Sequence, residues 1–143
     1  EDGRMWSVDR AVTGARRALA GTREYLQMRD AFGKPLLANQ YIQYRLAELI
    51  AEIDIVTEYA YTAGERYAAG EDVSRMATIA KLKTGRLQRE VADACVQFHG
   101  GMGYAEEMWP ARYFRDGRLT SIGGGADEVM LRVIAMMEGM GKK

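Results

Sequence analysis

The chain has 143 residues, with 20 acidic and 20 basic side chains and no formal net charge at neutral pH. That balance excludes bulk attraction to nucleic acid or to an anionic membrane, and no apolar run is long enough to span a bilayer. The length suits one domain with its own core. Cys95, the only cysteine, cannot form an internal disulfide and fits a reducing compartment. With no charged-then-apolar leader at the start, a cytoplasmic location is the expectation.

Hydrophobic spacing is helical almost throughout. Val8, Val12, Ala15, Leu19, Thr22 and Leu26 recur at steps of four and three, which predicts a first long helix with one inward side. Phe32-Gly33-Lys34-Pro35 ends it, because proline lacks an N–H and disfavours helix in the residue before it. Asn39 is the expected cap of a second helix, striped by Leu46, Leu49, Ile50, Ile53, Val56, Ala60 and Ala63. Gly70-Glu71-Asp72 separates it from a third, with Asp72 or Ser74 available as cap and Met76, Ala80, Leu87, Val91, Ala94 and Phe98 as its stripe. A turn at Gly100-Gly101-Met102-Gly103 follows. Another at Gly123-Gly124-Gly125 leads to a shorter last helix, marked by Val129, Val133, Met136 and Met140. No segment joins strict alternation to β-branched enrichment, so no sheet is expected. The fold class is all-α, an up-and-down bundle of long helices packed nearly antiparallel.

A bundle needs only short polar turns, so two glycine-dense ones ask for a reason. Glycine lets backbone N–H groups approach a ligand, and a following helix adds its positive end, which suits phosphate. The competing reading is that these glycines merely turn tight corners. Neither turn decides this alone.

Three blocks read together are more specific. The first runs Tyr25-x-x-x-Arg29-x-x-Phe32-Gly33-Lys34-Pro35-Leu36, followed by Gln40. The second is Val96-Gln97-Phe98-His99-Gly100-Gly101-Met102-Gly103-Tyr104, then Glu107, Arg112 and Arg115-Asp116. The third is Ile122-Gly123-Gly124-Gly125-Ala126-Asp127-Glu128-Val129. Their order and spacing resemble the signatures of the acyl-CoA dehydrogenase C-terminal helical domain, and the resemblance covers essentially residues 1–143. It implies two further domains, an amino-terminal helical one and a middle β domain, that are absent from this sequence. The function it implies is that of the C-terminal domain of an FAD-dependent enzyme that dehydrogenates an acyl-CoA thioester. Such a domain contributes to cofactor binding and to a homo-oligomer, a dimer or tetramer, and is inactive as a fragment. The alternative is a non-catalytic helical assembly domain, or a base-less partner subunit of a heteromeric dehydrogenase.

Roles follow from the same resemblance. Arg29 is implied to reach the FAD pyrophosphate of a neighbouring subunit, with Phe32 and Gln40 lining that cofactor; a guanidinium fork matches phosphate oxygens in pairs. Gln97, Gly100 and Gly101 match a second flavin contact, while His99 between them reads as a turn residue with local hydrogen bonds. Arg4 stands where relatives hold the CoA portion of the substrate, the alternative being an ordinary arginine near a frayed end. No metal site is expected.

The catalytic base is unassigned. The family reaction takes the proton α to the thioester carbonyl with a carboxylate while a hydride passes to the flavin. The two positions where relatives carry that glutamate are Gly3 and Gly124 here, and neither can take a proton. If the amino-terminal register slips, Glu1 or Asp2 become candidates. Two smaller departures follow. Ala126 replaces a usual threonine, leaving Asp127 to cap the last helix, and Pro110 falls one residue late with Trp109 in its place.

Overall fold

The computed structural model describes residues 2–141. Glu1, one of the two displaced-base candidates, lies outside the described residues, as does the side chain of Asp2. Three long helices dominate: α1 (Asp2–Met28), α2 (Gln40–Ala68) and α3 (Ser74–His99). Between α1 and α2 lies a small hairpin, β1 (Asp30–Ala31) and β2 (Lys34–Pro35), and after α3 come α4 (Gly101–Tyr104), α5 (Trp109–Gly117) and α6 (Asp127–Met137). The all-α class and the up-and-down order hold. Ion pairs from Arg16 to Asp54 and from Arg45 to Glu90 tie α2 to the helices on either side of it. α1 and α3 run parallel, since Arg4 bonds Thr78 near their starts and Tyr25 meets His99 near their ends.

Each of the first three stripes folds inward because apolar side chains at helical spacing share one face. Val8, Val12, Ala15, Leu19, Thr22 and Leu26 are all buried, and Leu49, Ile53, Val91 and Cys95 close the same core from α2 and α3. Full burial of a leucine or valine contributes about 1.5–3 kcal/mol. Ile50 departs from its stripe and is exposed. The caps are local. Asn39 Oδ1 accepts from the N–H groups of Tyr41 and Ile42, at 3.0 and 3.4 Å. Asp72 Oδ1 accepts from the N–H and hydroxyl of Ser74, which holds its carboxyl below the ordinary range.

Three expectations need correction. First, a sheet exists, though each strand has two residues, too short for alternation to register in a sequence. Its register pairs Asp30 with Pro35 and Ala31 with Lys34. Second, the stripe of the last helix is turned outward: Val129, Met136 and Met140 are exposed, while Met130 is buried. α6 docks through the Asp127–Met130 side, one residue away from the apparent stripe, and Met140 lies beyond its end. Third, Asp127 does not cap α6. The cap position is Ala126, with no side-chain bond, and the Asp127 carboxylate turns inward instead.

Candidate functional site

The sequence-selected residues fall at two ends of the bundle. One end gathers the close of α1, the hairpin, the start of α2 and the α3–α4 joint. Tyr25 stacks on His99 with ring centroids 4.3 Å apart, and Tyr41 meets Phe98 edge-on at 6.3 Å. These contacts bring the neighbours of Tyr25, Tyr41 and His99 to the same end: Arg29, Phe32, Gln40, Gln97, Gly100 and Gly101.

Local geometry shows why they face outward. Arg29 follows the last turn of α1; its N–H donates to Tyr25 O at 2.9 Å and its carbonyl accepts from Leu36 N at 2.8 Å. Both backbone bonds fix the residue while the guanidinium stays exposed, and no carboxylate among the described residues pairs with it. Phe32 is the hairpin tip. It is 102 % exposed and sits at φ 55, with Gly33 at φ 81. Two successive positive φ angles suit a two-residue hairpin whose twist matches its strands. Glycine takes that region freely; a phenylalanine there is strained. Gln40 opens α2 and donates from Nε2 to the Tyr44 hydroxyl at 2.5 Å. Gln97 is exposed, and Gly100, at φ 60, breaks α3 so that α4 can leave at an angle. A side chain on Gly100 or Gly101 would meet nothing within 4 Å, so both backbones are open to approach.

His99 belongs to the scaffold. Its Nδ1 donates to Cys95 O at 2.7 Å, its ring stacks on Tyr25, and its other side meets Trp109 edge-on at 5.3 Å. Burial pushes its pKa below the ordinary 6.5, partly opposed by the bond to Cys95. Trp109 is accommodated because Gly21 faces it: a side chain there would come within 3.2 Å of the indole. The displaced Pro110 is buried in the first turn of α5, where its missing N–H costs nothing. Cys95 is sealed in the core and its thiol is pushed up to about 11 by burial.

The opposite end holds Gly3, Arg4 and Gly124. Gly3 and Gly124, 121 residues apart in the chain, line one cleft of about 520 Å³ together with Trp6, Arg10, Tyr113 and Asp116. Asp116 is the only carboxylate among the described residues of that lining. Arg10 lies over the Trp6 ring at 4.6 Å. Arg4 is half-buried and donates to Thr78 Oγ1 at 3.1 Å, so its guanidinium has a partner within the chain. A larger groove of about 810 Å³ between α1 and α2 contains none of the sequence-selected residues.

Sequence reasoning missed Lys81. It is 1 % exposed, and its ammonium donates to Thr120 O at 3.0 Å and Gly125 O at 2.6 Å. The signal was present: Ala77, Lys81, Gly85 and Gln88 share one buried side of α3 at steps of four and three. A lysine there needs inward partners. Asp127 supplies part of the answer. It is 6 % exposed, with Oδ2 3.7 Å from Arg89 Nη1, and its Oδ1 has no hydrogen-bond partner among the described residues. Among the described residues, no group of three or more His, Cys, Asp or Glu could hold a metal ion, and no helix is long and apolar enough to cross a membrane.

Comparison with known proteins bears on this arrangement. The family model described as "Acyl-CoA dehydrogenase, C-terminal domain" matches residues 1–138. The chain belongs to the acyl-CoA dehydrogenase family. It is 35 % identical over 130 residues to "Probable acyl-CoA dehydrogenase YdiO" of Escherichia coli strain K12, covering 91 % of this chain and 34 % of that protein. Against the long-chain specific mitochondrial acyl-CoA dehydrogenase of Sus scrofa it is 35 % identical, covering 92 % of this chain and 31 % of the other. The structure of butyryl-CoA dehydrogenase from Megasphaera elsdenii superposes with a TM-score of 0.91 at 34 % identity, over 95 % of this chain and 36 % of that one. The chain therefore spans about a third of the length of the acyl-CoA dehydrogenases it matches.

Proposed function

We propose that this chain serves as the C-terminal domain of a flavin-dependent dehydrogenase acting on acyl-CoA thioesters, binding part of FAD and building a homo-oligomer. Membership of the acyl-CoA dehydrogenase family supports this reading. The observation that carries it is the outward-facing cluster at one end: Arg29 exposed without a carboxylate partner, Phe32 held at a strained φ with its ring in solvent, and Gly100 and Gly101 open to approach. Strain that buys no internal contact is the kind retained for function.

The residues present fit the cofactor. Arg29 is an unspent fork for a pyrophosphate, Phe32 and Gln40 flank it, and Gln97 with the Gly100–Gly101 backbone offers a second contact. When bound, the flavin supplies a hydride acceptor. This chain's own residues orient and partly enclose it. Arg4, at the position where relatives hold the CoA portion, is assigned to the substrate side. The outward faces of α6, with Val129 and Met136, and of α2, with Ile50 and Ile55, together with Met140 just past α6, suit coverage by other domains or subunits.

A second reading, the base-less partner subunit, is favoured by one observation. Both family base positions are glycine and both border the same cleft, so neither compensates for the other. The two readings share the cofactor end and differ over proton abstraction. Titrating the chain with FAD and following flavin fluorescence tests the shared part. Arg29→Ala is expected to weaken binding about tenfold, the size of one charge-assisted hydrogen bond, with helicity by circular dichroism unchanged. Equal affinity in the variant would remove Arg29 from the cofactor site.

A further inference from the structure

We propose that Lys81 is a positioning residue for the cleft, clamping the Thr120–Gly125 loop so that Gly123 and Gly124 form its wall. The inference rests on reading that cleft as the thioester-facing side of the domain.

Besides Lys81, the loop is held by the Thr120 hydroxyl bond to Gln88 at its start and by the local Ile122 and Gly123 N–H bonds to Leu119 O, none of which reaches Gly124 or Gly125. It leaves a 3-10 turn at Arg118–Ser121, passes through Gly123, Gly124 at φ 69 and Gly125 at φ 109, and reaches α6 with no side-chain cap. Consecutive glycines pay a large entropy to be ordered, and two of these sit in a region with many alternatives. Lys81 reaches it from below. Its ammonium takes the carbonyl of Thr120 before the glycines and that of Gly125 at their end, so one side chain closes the loop into a ring. The Lys81 stem also supports the turn, since a side-chain carbon on Gly124 would lie 3.5 Å from its Cε.

The environment is arranged around a charge. Burial and the nearby Arg4 work against the protonated amine, and the Asp127 carboxylate works for it. The inward-turned Asp127 carboxylate, 3.7 Å from Arg89, lies on the side of the loop where it favours the charged amine. Gly85 provides the room: a side chain there would come within 3.0 Å of Ser121 Oγ and 3.3 Å of Asp127 Oδ1. An ammonium with directional bonds to two carbonyls fixes geometry in a way an apolar residue cannot. Thr120, Gly123 and Gly124 all border the cleft, so the clamp acts on its wall without Lys81 itself lining it.

The test pairs two readouts on the chain. Amide hydrogen exchange follows Ile122 and Gly123, whose N–H groups donate to Leu119 O at 2.9 and 2.7 Å, against core amides of α3. Butyryl-CoA binding is followed by chemical-shift changes at Trp6. Lys81→Met is expected to speed exchange at Ile122 and Gly123 about tenfold more than in the core, and to weaken thioester binding. Asp127→Asn keeps the ammonium but removes its counter-charge; it should shift both readouts the same way by less, and it carries the test if Lys81→Met does not fold. Loop exchange that changes only in step with the core overturns the proposal, as does a loosened loop with unchanged thioester affinity. A wild-type chain that takes no thioester overturns the cleft reading and this proposal with it. That failure is distinguishable because it appears before any substitution.

Discussion

The two ends of this bundle use polar residues in opposite ways. Around the hairpin and the α3–α4 joint, Arg29, Phe32 and Gln97 point into solvent, and the backbone beneath them is what is fixed. Around the Gly123–Gly125 loop the polar groups turn inward: Arg4 to Thr78, Lys81 to Thr120 and Gly125, and the Thr120 hydroxyl to Gln88 at 2.5 Å. A group satisfied inside the chain shapes the fold, and a group held rigidly but left unsatisfied is available to something outside it. The first end therefore reads as a contact surface and the second as a braced wall.

That contrast breaks most readily at its glycines, which look alike in sequence and differ in space. Gly103 is buried, and a side-chain carbon there would lie 2.4 Å from Val96 O and 2.9 Å from the His99 Cβ, so backbone must move. Gly103→Ala should destabilise the chain by about 1–3 kcal/mol in urea unfolding. Gly101, two residues earlier, meets nothing, and Gly101→Ala should stay within about 0.5 kcal/mol. Equal effects would mean that the whole turn is a packed corner and that no part of it is open to a ligand.

The braced end offers a smaller difference. Gly124→Ala forces an L side chain to φ 69, which costs roughly 1–2 kcal/mol. Gly3 lies in α1 with nothing within 4 Å, and Gly3→Ala should be neutral or stabilising by up to about 1 kcal/mol. Thermal melts of the pair read the sign directly. A stabilised Gly124→Ala would show that the loop is not held as described.

How much of this was legible beforehand divides along physical lines. Long stripes on α1, α2 and α3 repeat often enough for periodicity to fix their inward faces, and Asn39 declares its cap by residue type. The last helix has 11 residues, so a stripe displaced by one residue, Val129 in place of Met130, looks equally helical. α5 carries its packing through Trp109 and Pro110 in nine residues, too few to show a period. Arg29, Phe32, Gln40, Gln97, Gly100 and Gly101 stood out as motif members, and folding brings them to one end. The inward side of Lys81 could be read from its spacing with Ala77, Gly85 and Gln88, but its partners could not, because they are main-chain carbonyls 39 and 44 residues away, which no side-chain pattern reveals.

The smallest expected effect concerns His99, which separates scaffold from surface at the open end. Its Nδ1 faces the Cys95 carbonyl, an acceptor only, so that nitrogen carries the hydrogen in the neutral ring. Burial between Tyr25 and Trp109 disfavours a second proton and places the folded pKa below the ordinary 6.5. The unfolded chain then binds more protons than the folded one in the range just below 6.5, so stability rises with pH through that window and is lost on acidification. Urea midpoints measured between about pH 7 and 5 should fall in the wild type. His99→Gln cannot titrate there, and although it starts less stable its midpoint should change less over the same range. An identical slope in both would assign the acid sensitivity to carboxylates and remove His99 from it.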